Sequence, residues 1–221
     1  MPPFVLVHSP LVGPLSWAPV AAILGAGTVV ASLADAGGPP YYPAFAQAVA
    51  DVAPDGAVLV AHSGAGALLA AAADLIESRG DGVGGLIYVD ALLPYPGRTW
   101  FDTAPPGLAE HLRGLAEDGV LRPWDEWFPA EAIASLLPDP GVRGRFSADL
   151  PRLPLAYFAE TAPDVTDRPG AYLRLSEGYV DEAAEAEKRG WPVVVEDADH
   201  LAVVTRPELV AERIRELWQR L

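Results

Sequence analysis

Two side chains far apart in the chain, Ser63 and His200, have the chemistry of a nucleophile and its base. Ser63 closes the run Ala57-Val58-Leu59-Val60-Ala61-His62-Ser63-Gly64-Ala65-Gly66-Ala67-Leu68-Leu69-Ala70, where an apolar stretch stops at a serine wrapped by small residues and becomes an alanine/leucine helix. A serine at a tight strand-to-helix turn is held in strained backbone geometry, so its near neighbours must be small where strand and helix crowd together. Such a turn lifts Oγ clear of the sheet and aims the first helical N–H groups at whatever it attacks. The pattern is a loose Gly-x-Ser-x-Gly, with Ala61 and Ala65 at the glycine positions and Gly64 and Gly66 beside them. A dinucleotide loop would need a third glycine where Leu69 stands, and no Gly-Lys-Ser/Thr follows.

His200 ends the stretch Val193-Val194-Val195-Glu196-Asp197-Ala198-Asp199-His200, at the exit of the last predicted strand. A base there can take the Oγ proton and return it to a leaving group. His62 reads as packing behind the serine turn and His111 as a surface residue. The histidines are too dispersed for a metal pair and there is no cysteine, so neither metal nor cofactor is expected.

The elements that must hold these groups follow from periodicity. Short apolar strands near 4–7, 28–32, 57–61, 84–89, 171–175 and 192–196 alternate with amphipathic stretches near 16–24, 43–53, 64–78, 181–189 and 207–220. That alternation predicts an α/β fold with a mostly parallel six-stranded sheet flanked by helices. Between about 94 and 169 the rhythm breaks into a segment rich in Pro and Trp, with helical fragments near 107–118, 130–137, 140–148 and 154–161. A structureless loop of that length is improbable, so the reading is one domain over 1–221. Its core spans 1–93 and 170–221, and a small helical cap is inserted after the fourth strand.

Taken together, the segments Phe4-Val5-Leu6-Val7-His8-Ser9-Pro10 through Gly13 to Trp17, the turn around Ser63, Leu86-Ile87-Tyr88-Val89-Asp90-Ala91-Leu92-Leu93-Pro94 and Asp197-Ala198-Asp199-His200 resemble the α/β-hydrolase superfamily. The resemblance is to the small-capped branch that holds methylesterases, hydroxynitrile lyases and their bacterial homologues, and it spans nearly the whole chain. It implies Ser63 as nucleophile, His200 as base and the Gly64 N–H as one oxyanion donor. The chain departs from that pattern twice. Where the family carries its acid, the tripeptide reads Ser176-Glu177-Gly178, with glycine in place of aspartate. Asp90, at the end of the preceding strand, is the first candidate to replace it and Glu177 the second; Asp181 reads as the N-terminal charge of its helix. The other departure is at the second oxyanion donor, whose position holds Pro10, which has no N–H. The Ser9 hydroxyl or the Leu11 N–H are the possible substitutes.

A kept serine and histidine beside an altered acid and oxyanion site leave three readings open. The first is hydrolysis of a small, largely apolar ester, thioester or lactone. The second is a lyase, eliminase or cyclase in which His200 moves a proton while Ser63 and Ser9 orient the substrate. The third is a catalytically silent ligand-binding homologue. Trp17, Tyr41, Tyr42, Tyr95, Trp100, Trp124, Trp127 and Phe128 are the expected walls of an apolar pocket, and Trp191 and Trp218 read as structural.

Composition narrows the partners. At 221 residues and 51% hydrophobic, the chain can bury one sizeable core, and its net charge of −15 disfavours nucleic acid and anionic membrane surfaces. The expected partner is a small molecule, and the sequence sets no oligomeric state. Because the first predicted strand begins almost at Met1, a signal peptide is not expected and the reading is cytoplasmic. The Ala-, Gly-, Pro- and Arg-rich composition suggests a GC-rich source and, with the fold, a tailoring role in natural-product biosynthesis.

Overall fold

The computed structural model describes residues 2–34 and 36–221. Six strands, β1 (Phe4–Val7), β2 (Thr28–Ala31), β3 (Ala57–Ser63), β4 (Val83–Ala91), β5 (Ala171–Arg174) and β6 (Val193–Val195), form one sheet in the order β2-β1-β3-β4-β5-β6. Every pairing is parallel. Parallel strands covered on both faces read as unbroken apolar runs, and the alternation of side chains then sends successive residues to opposite layers. Val5 and Val7 join one core cluster with α2 (Tyr41–Ala50), α3 (Gly66–Ser78) and α9 (Val180–Lys188). Phe4 and Leu6 join the other, with α1 (Ala18–Leu24), α10 (Ala202–Thr205) and α11 (Pro207–Trp218).

The six expected strands and the five flanking helices are all present, with ends shifted by a few residues. β3 and β4 run further than their apolar stretches, to Ser63 and Ala91, because the ladder between them continues past the last β-branched residue. The four-residue helix α10 carries too short a pattern to be read from sequence. No helix among the described residues is long and apolar enough to cross a membrane.

The segment between β4 and β5 carries α4 (Trp100–Thr103), α5 (Leu108–Leu115), α6 (Ala130–Leu136), α7 (Pro140–Ala148) and α8 (Leu155–Ala159). It is anchored by burial: Leu112, Leu121, Tyr157 and Phe158 extend the core cluster of the α2/α3 face. A separate small cluster joins Leu137 and Phe146 to Val12 and Leu201, in the loops that follow β1 and β6. The carboxyl ends of the strands therefore lie beneath this helical layer, where open parallel sheets place their ligands.

Candidate active site

Ser63 is the last residue of β3 and has φ +58°, in the left-handed region that a side chain seldom occupies. The strain is local to the bend between β3 and α3. The Ser63 carbonyl accepts the Leu92 N–H at 3.0 Å, so the strand ladder holds the backbone up to the turn itself. Gly66 is required there: a Cβ on it would run into the Leu92 carbonyl. The Gly64 N–H makes no hydrogen bond with any described residue, and Gly64 and Ser63 both face one cavity of about 800 Å³.

Asp90 answers Ser63 across the neighbouring strand. His62 pairs with Val89 and Ser63 with Ala91, so Asp90 is the extra residue of a β-bulge, at φ +44°. A bulge turns a side chain that the regular pleat would send elsewhere. Here it aims the carboxylate at the ends of β5 and β6, fully buried. Oδ1 accepts the Leu175 and Ser176 N–H groups, both at 2.9 Å. Oδ2 accepts the Ser176 hydroxyl at 2.6 Å and Nδ1–H of His200 at 2.7 Å. Burial alone would push this carboxyl up, but the hydrogen bond and charge of His200, with the donors from Ser176 and Leu175, outweigh it and hold Asp90 below the usual carboxylate range.

His200 follows β6, and its bond to Asp90 leaves Nε2 as the acceptor nitrogen. Two other rings lie against it. Tyr179 stacks on it with centroids 5.0 Å apart and planes within 10°, and His62 lies 4.5 Å away at 30°. His62 donates Nε2–H to the His200 carbonyl at 2.9 Å. Burial, then the neighbouring His200, holds the His62 imidazole well below its usual pKa, so it is a neutral support. His62 thus packs behind the turn. Ser63 Oγ hydrogen-bonds the Tyr179 hydroxyl at 3.2 Å, and Ser63, Tyr179 and His200 line the same cavity.

The loop after β1 departs from expectation. Leu11 does not present its N–H to the cavity; it donates to Ser9 Oγ at 3.3 Å, in a turn closed by Val12 N–H on the Ser9 carbonyl. Accepting that bond leaves the Ser9 proton free. Ser9 is buried against Gly64, whose added Cβ would stand 3.1 Å from Ser9 Oγ, and it shares a water-sized niche with Ser63 and His200.

Three further expectations are corrected by packing. Trp17 is no pocket wall: it is fully buried on the α1 face, edge-on to His62 at 6.0 Å. Tyr41 and Tyr42 belong to a joint between α2 and the helical layer, because Glu160 accepts both their N–H groups, at 2.7 and 2.8 Å, and thereby caps α2. Tyr42 bonds the Tyr95 hydroxyl at 2.6 Å, which buries that ring too, and Tyr41 borders a separate cavity of about 170 Å³ with His8 and Pro10. Glu177 is not brought to His200: its side chain is 90% exposed and pairs with Arg174 at 2.8 Å. Trp100, Trp124, Trp127 and Phe128 do line the large cavity, with Leu11, Leu92 and Leu108. Asp181 in the first turn of α9 and Glu182 border it, and burial followed by the Asp181 charge pushes the Glu182 carboxyl up. Among the described residues, no group of three or more histidine, aspartate or glutamate side chains converges as metal ligands would.

Sequence reasoning missed Ser176 and Tyr179. Nothing in their local pattern marks either one, and only the packing of the loop after β5 against β4 and β6 brings them in.

The profile of the alpha/beta hydrolase family matches residues 4–213. The chain belongs to this family. Several solved structures share its fold. An extracellular α/β-hydrolase from a Paenibacillus species, described as sharing structural and functional homology with tobacco salicylic acid binding protein 2, superposes with a TM-score of 0.73 at 18% identity, over 97% of this chain and 98% of that one. A pyrethroid hydrolase from Sphingobium faniae JZ-2 gives 0.70 at 21% identity, over 98% and 96%. A thermophilic esterase from Thermogutta terrifontis gives 0.63 at 22% identity, over 100% and 90%. No curated sequence matches the chain significantly. One cavity thus holds a serine on a strained turn and a histidine bonded to a buried carboxylate, with no direct hydrogen bond between the serine and the histidine.

Proposed function

We propose that this family member is a serine-dependent hydrolase of small, largely apolar carboxylic esters, thioesters or lactones. The observation that carries the reading is the pairing of buried Asp90 with His200, at 2.7 Å, over the same cavity as Ser63. Ser63 Oγ attacks the acyl carbon and gives its proton to His200 Nε2, while Asp90 fixes the tautomer and stabilises the imidazolium. The oxyanion is received by the Gly64 N–H and, in place of the N–H that Pro10 lacks, by the Ser9 hydroxyl. His200 then protonates the leaving oxygen or sulfur, and water repeats the sequence on the acyl-enzyme. Serine and histidine in substrate-free enzymes are often loosely aligned and close up on binding, which accommodates a Ser63 bonded to Tyr179.

The cavity supports the substrate class. Its walls are aromatic and aliphatic, and its described lining holds two carboxyl residues, Asp181 and Glu182, and no lysine or arginine. An uncharged substrate fits such walls, and an anionic one meets two carboxylates. An esterase and a pyrethroid hydrolase among the structural neighbours support the same reaction class.

Pro10 specifically favours one second reading. With the Leu11 N–H used by Ser9, a non-hydrolytic reaction that builds less charge on oxygen, such as an elimination or cyclisation with His200 carrying the proton, would tolerate this loop more easily. The deciding experiment is incubation with a fluorophosphonate and with 4-nitrophenyl esters, beside Ser63→Ala. The hydrolase reading expects labelling and turnover that Ser63→Ala abolishes. A wild-type protein that is neither labelled nor active on esters would overturn it in favour of lyase chemistry or simple ligand binding.

A further inference from the structure

We propose that Tyr179 is a positioning residue for this reaction: its hydroxyl holds Ser63 Oγ while its ring holds the imidazole plane of His200. The inference rests on the serine-hydrolase reading and goes beyond it, since neither the serine turn nor the Asp90–His200 pair requires a phenol.

Two separate contacts of one side chain carry it. The hydroxyl lies 3.2 Å from Ser63 Oγ, and the ring is stacked on His200 with planes within 10°. Tyr179 reaches this place because the loop after β5 is tied down at Ser176, whose N–H and hydroxyl both bind Asp90. The chain then turns into α9 with Tyr179 directed at the strand ends and Glu177 left in solvent.

The sense of the hydrogen bond follows from chemistry. Burial pushes the phenol pKa well up, so it stays protonated, and among the described residues Ser63 Oγ is its only hydrogen-bond partner. A phenol is a stronger hydrogen-bond donor than an aliphatic hydroxyl, so we take the phenol as donor and Oγ as acceptor. That leaves the Ser63 proton free to turn to His200 Nε2, the acceptor nitrogen of the tautomer that Asp90 selects. As that proton moves to His200, Oγ bonds the acyl carbon and the charge passes to the carbonyl oxygen, so the phenol serves to hold Oγ in line while the proton leaves. The phenol keeps its own proton throughout. The stacked ring meanwhile restrains rotation of the imidazole, so that Nδ1 remains on Asp90 and Nε2 on the cavity.

The test compares wild type, Tyr179→Phe and Tyr179→Leu by the rate of fluorophosphonate labelling and by kcat and KM on a 4-nitrophenyl ester. Phe keeps the stack and loses the donor, so kcat and the labelling rate should each fall about tenfold, the factor for one modest hydrogen bond, with KM unchanged. Leu loses both contacts and should fall further, to about a hundredfold. Equal rates in wild type and Tyr179→Phe would overturn the proposal, as would a faster Tyr179→Phe, which would mark the phenol as a latch holding Oγ away from His200. An inert wild type would instead sink the hydrolase reading and this inference with it. A crystal structure of the phosphonylated wild type needs no variant to fold. It should keep the Tyr179 ring flat on His200 with its hydroxyl within hydrogen-bond reach of Oγ or a phosphonyl oxygen, and a ring turned out of the cavity would overturn the proposal.

Discussion

The ends of β4 and β5 lie side by side under the helical layer, yet they handle charge in opposite ways. At the end of β4 a bulge with a left-handed φ buries Asp90 completely and surrounds it with four donors. At the end of β5 the carboxylate of Glu177 stands in solvent beside Arg174, and the loop contributes donors and a phenol instead. A carboxylate orients a histidine effectively only where it is dehydrated and hydrogen-bonded; an exposed one is screened and mobile. The two loops have divided the work, one holding the charge and the other holding it in place.

The sharpest break of this contrast is Asp90→Asn. The amide oxygen can still accept from Leu175 and Ser176, but an NH₂ cannot accept from His200 Nδ1–H, so the imidazole loses its working tautomer. We expect kcat on a 4-nitrophenyl ester to fall on the order of 10⁴-fold, as when such an aspartate is amidated, with the fold kept by circular dichroism. A loss under tenfold would move the orienting role elsewhere.

Acid should expose the same carboxylate through stability. Because its folded pKa is depressed, Asp90 contributes stability that is complete above the unfolded value of about 4 and is lost as pH falls through the lower folded value. His62 and His8, whose folded pKa values burial also lowers, act in a higher window. They cost stability once pH drops below about 6.5, where the unfolded imidazoles take up protons. Melting curves of wild type and Asp90→Asn should therefore run parallel from pH 6.5 to 5 and converge below about pH 4. Convergence already at pH 6 would show that Asp90 is not held ionised.

Ser176→Ala removes one of the two donors on Asp90 Oδ2 and leaves the backbone donors in place. Activity should fall about tenfold, the order of one hydrogen bond to a charge, measured as kcat with KM unchanged. Glu177→Gln should change activity less than about twofold, since an exposed ion pair contributes little. A large loss there would return the acid to the loop after β5 and dissolve the contrast.

The fold was legible because its signals are local and repeated: each strand is a short apolar run, and each of the five expected flanking helices carries its own amphipathic period. The turn at Ser63 was legible for the same reason, since the crowding of strand against helix restricts adjacent residues to Ala and Gly. Asp90 ranks ahead of Glu177 on the resemblance alone; the physical ground, the register of β4 against β3 that makes Asp90 the bulged residue, was not legible. The aromatic residues misled for a related reason. Trp17, Tyr41 and Tyr42 resemble pocket walls in sequence, but the destination of a ring depends on how its helix docks, and Glu160, far along the chain, draws the start of α2 into a buried joint.

By itself, then, the sequence determined the alternating architecture, the small-residue turn that strains Ser63, and a histidine at the exit of the last strand, all consequences of spacing within one element. The tertiary structure decided which carboxylate meets that histidine, how Ser9 absorbs the Leu11 N–H beside Pro10, and that Tyr179 contacts both Ser63 and His200. Those are contacts between residues far apart along the chain, set by strand register and loop packing, and no local pattern encodes them.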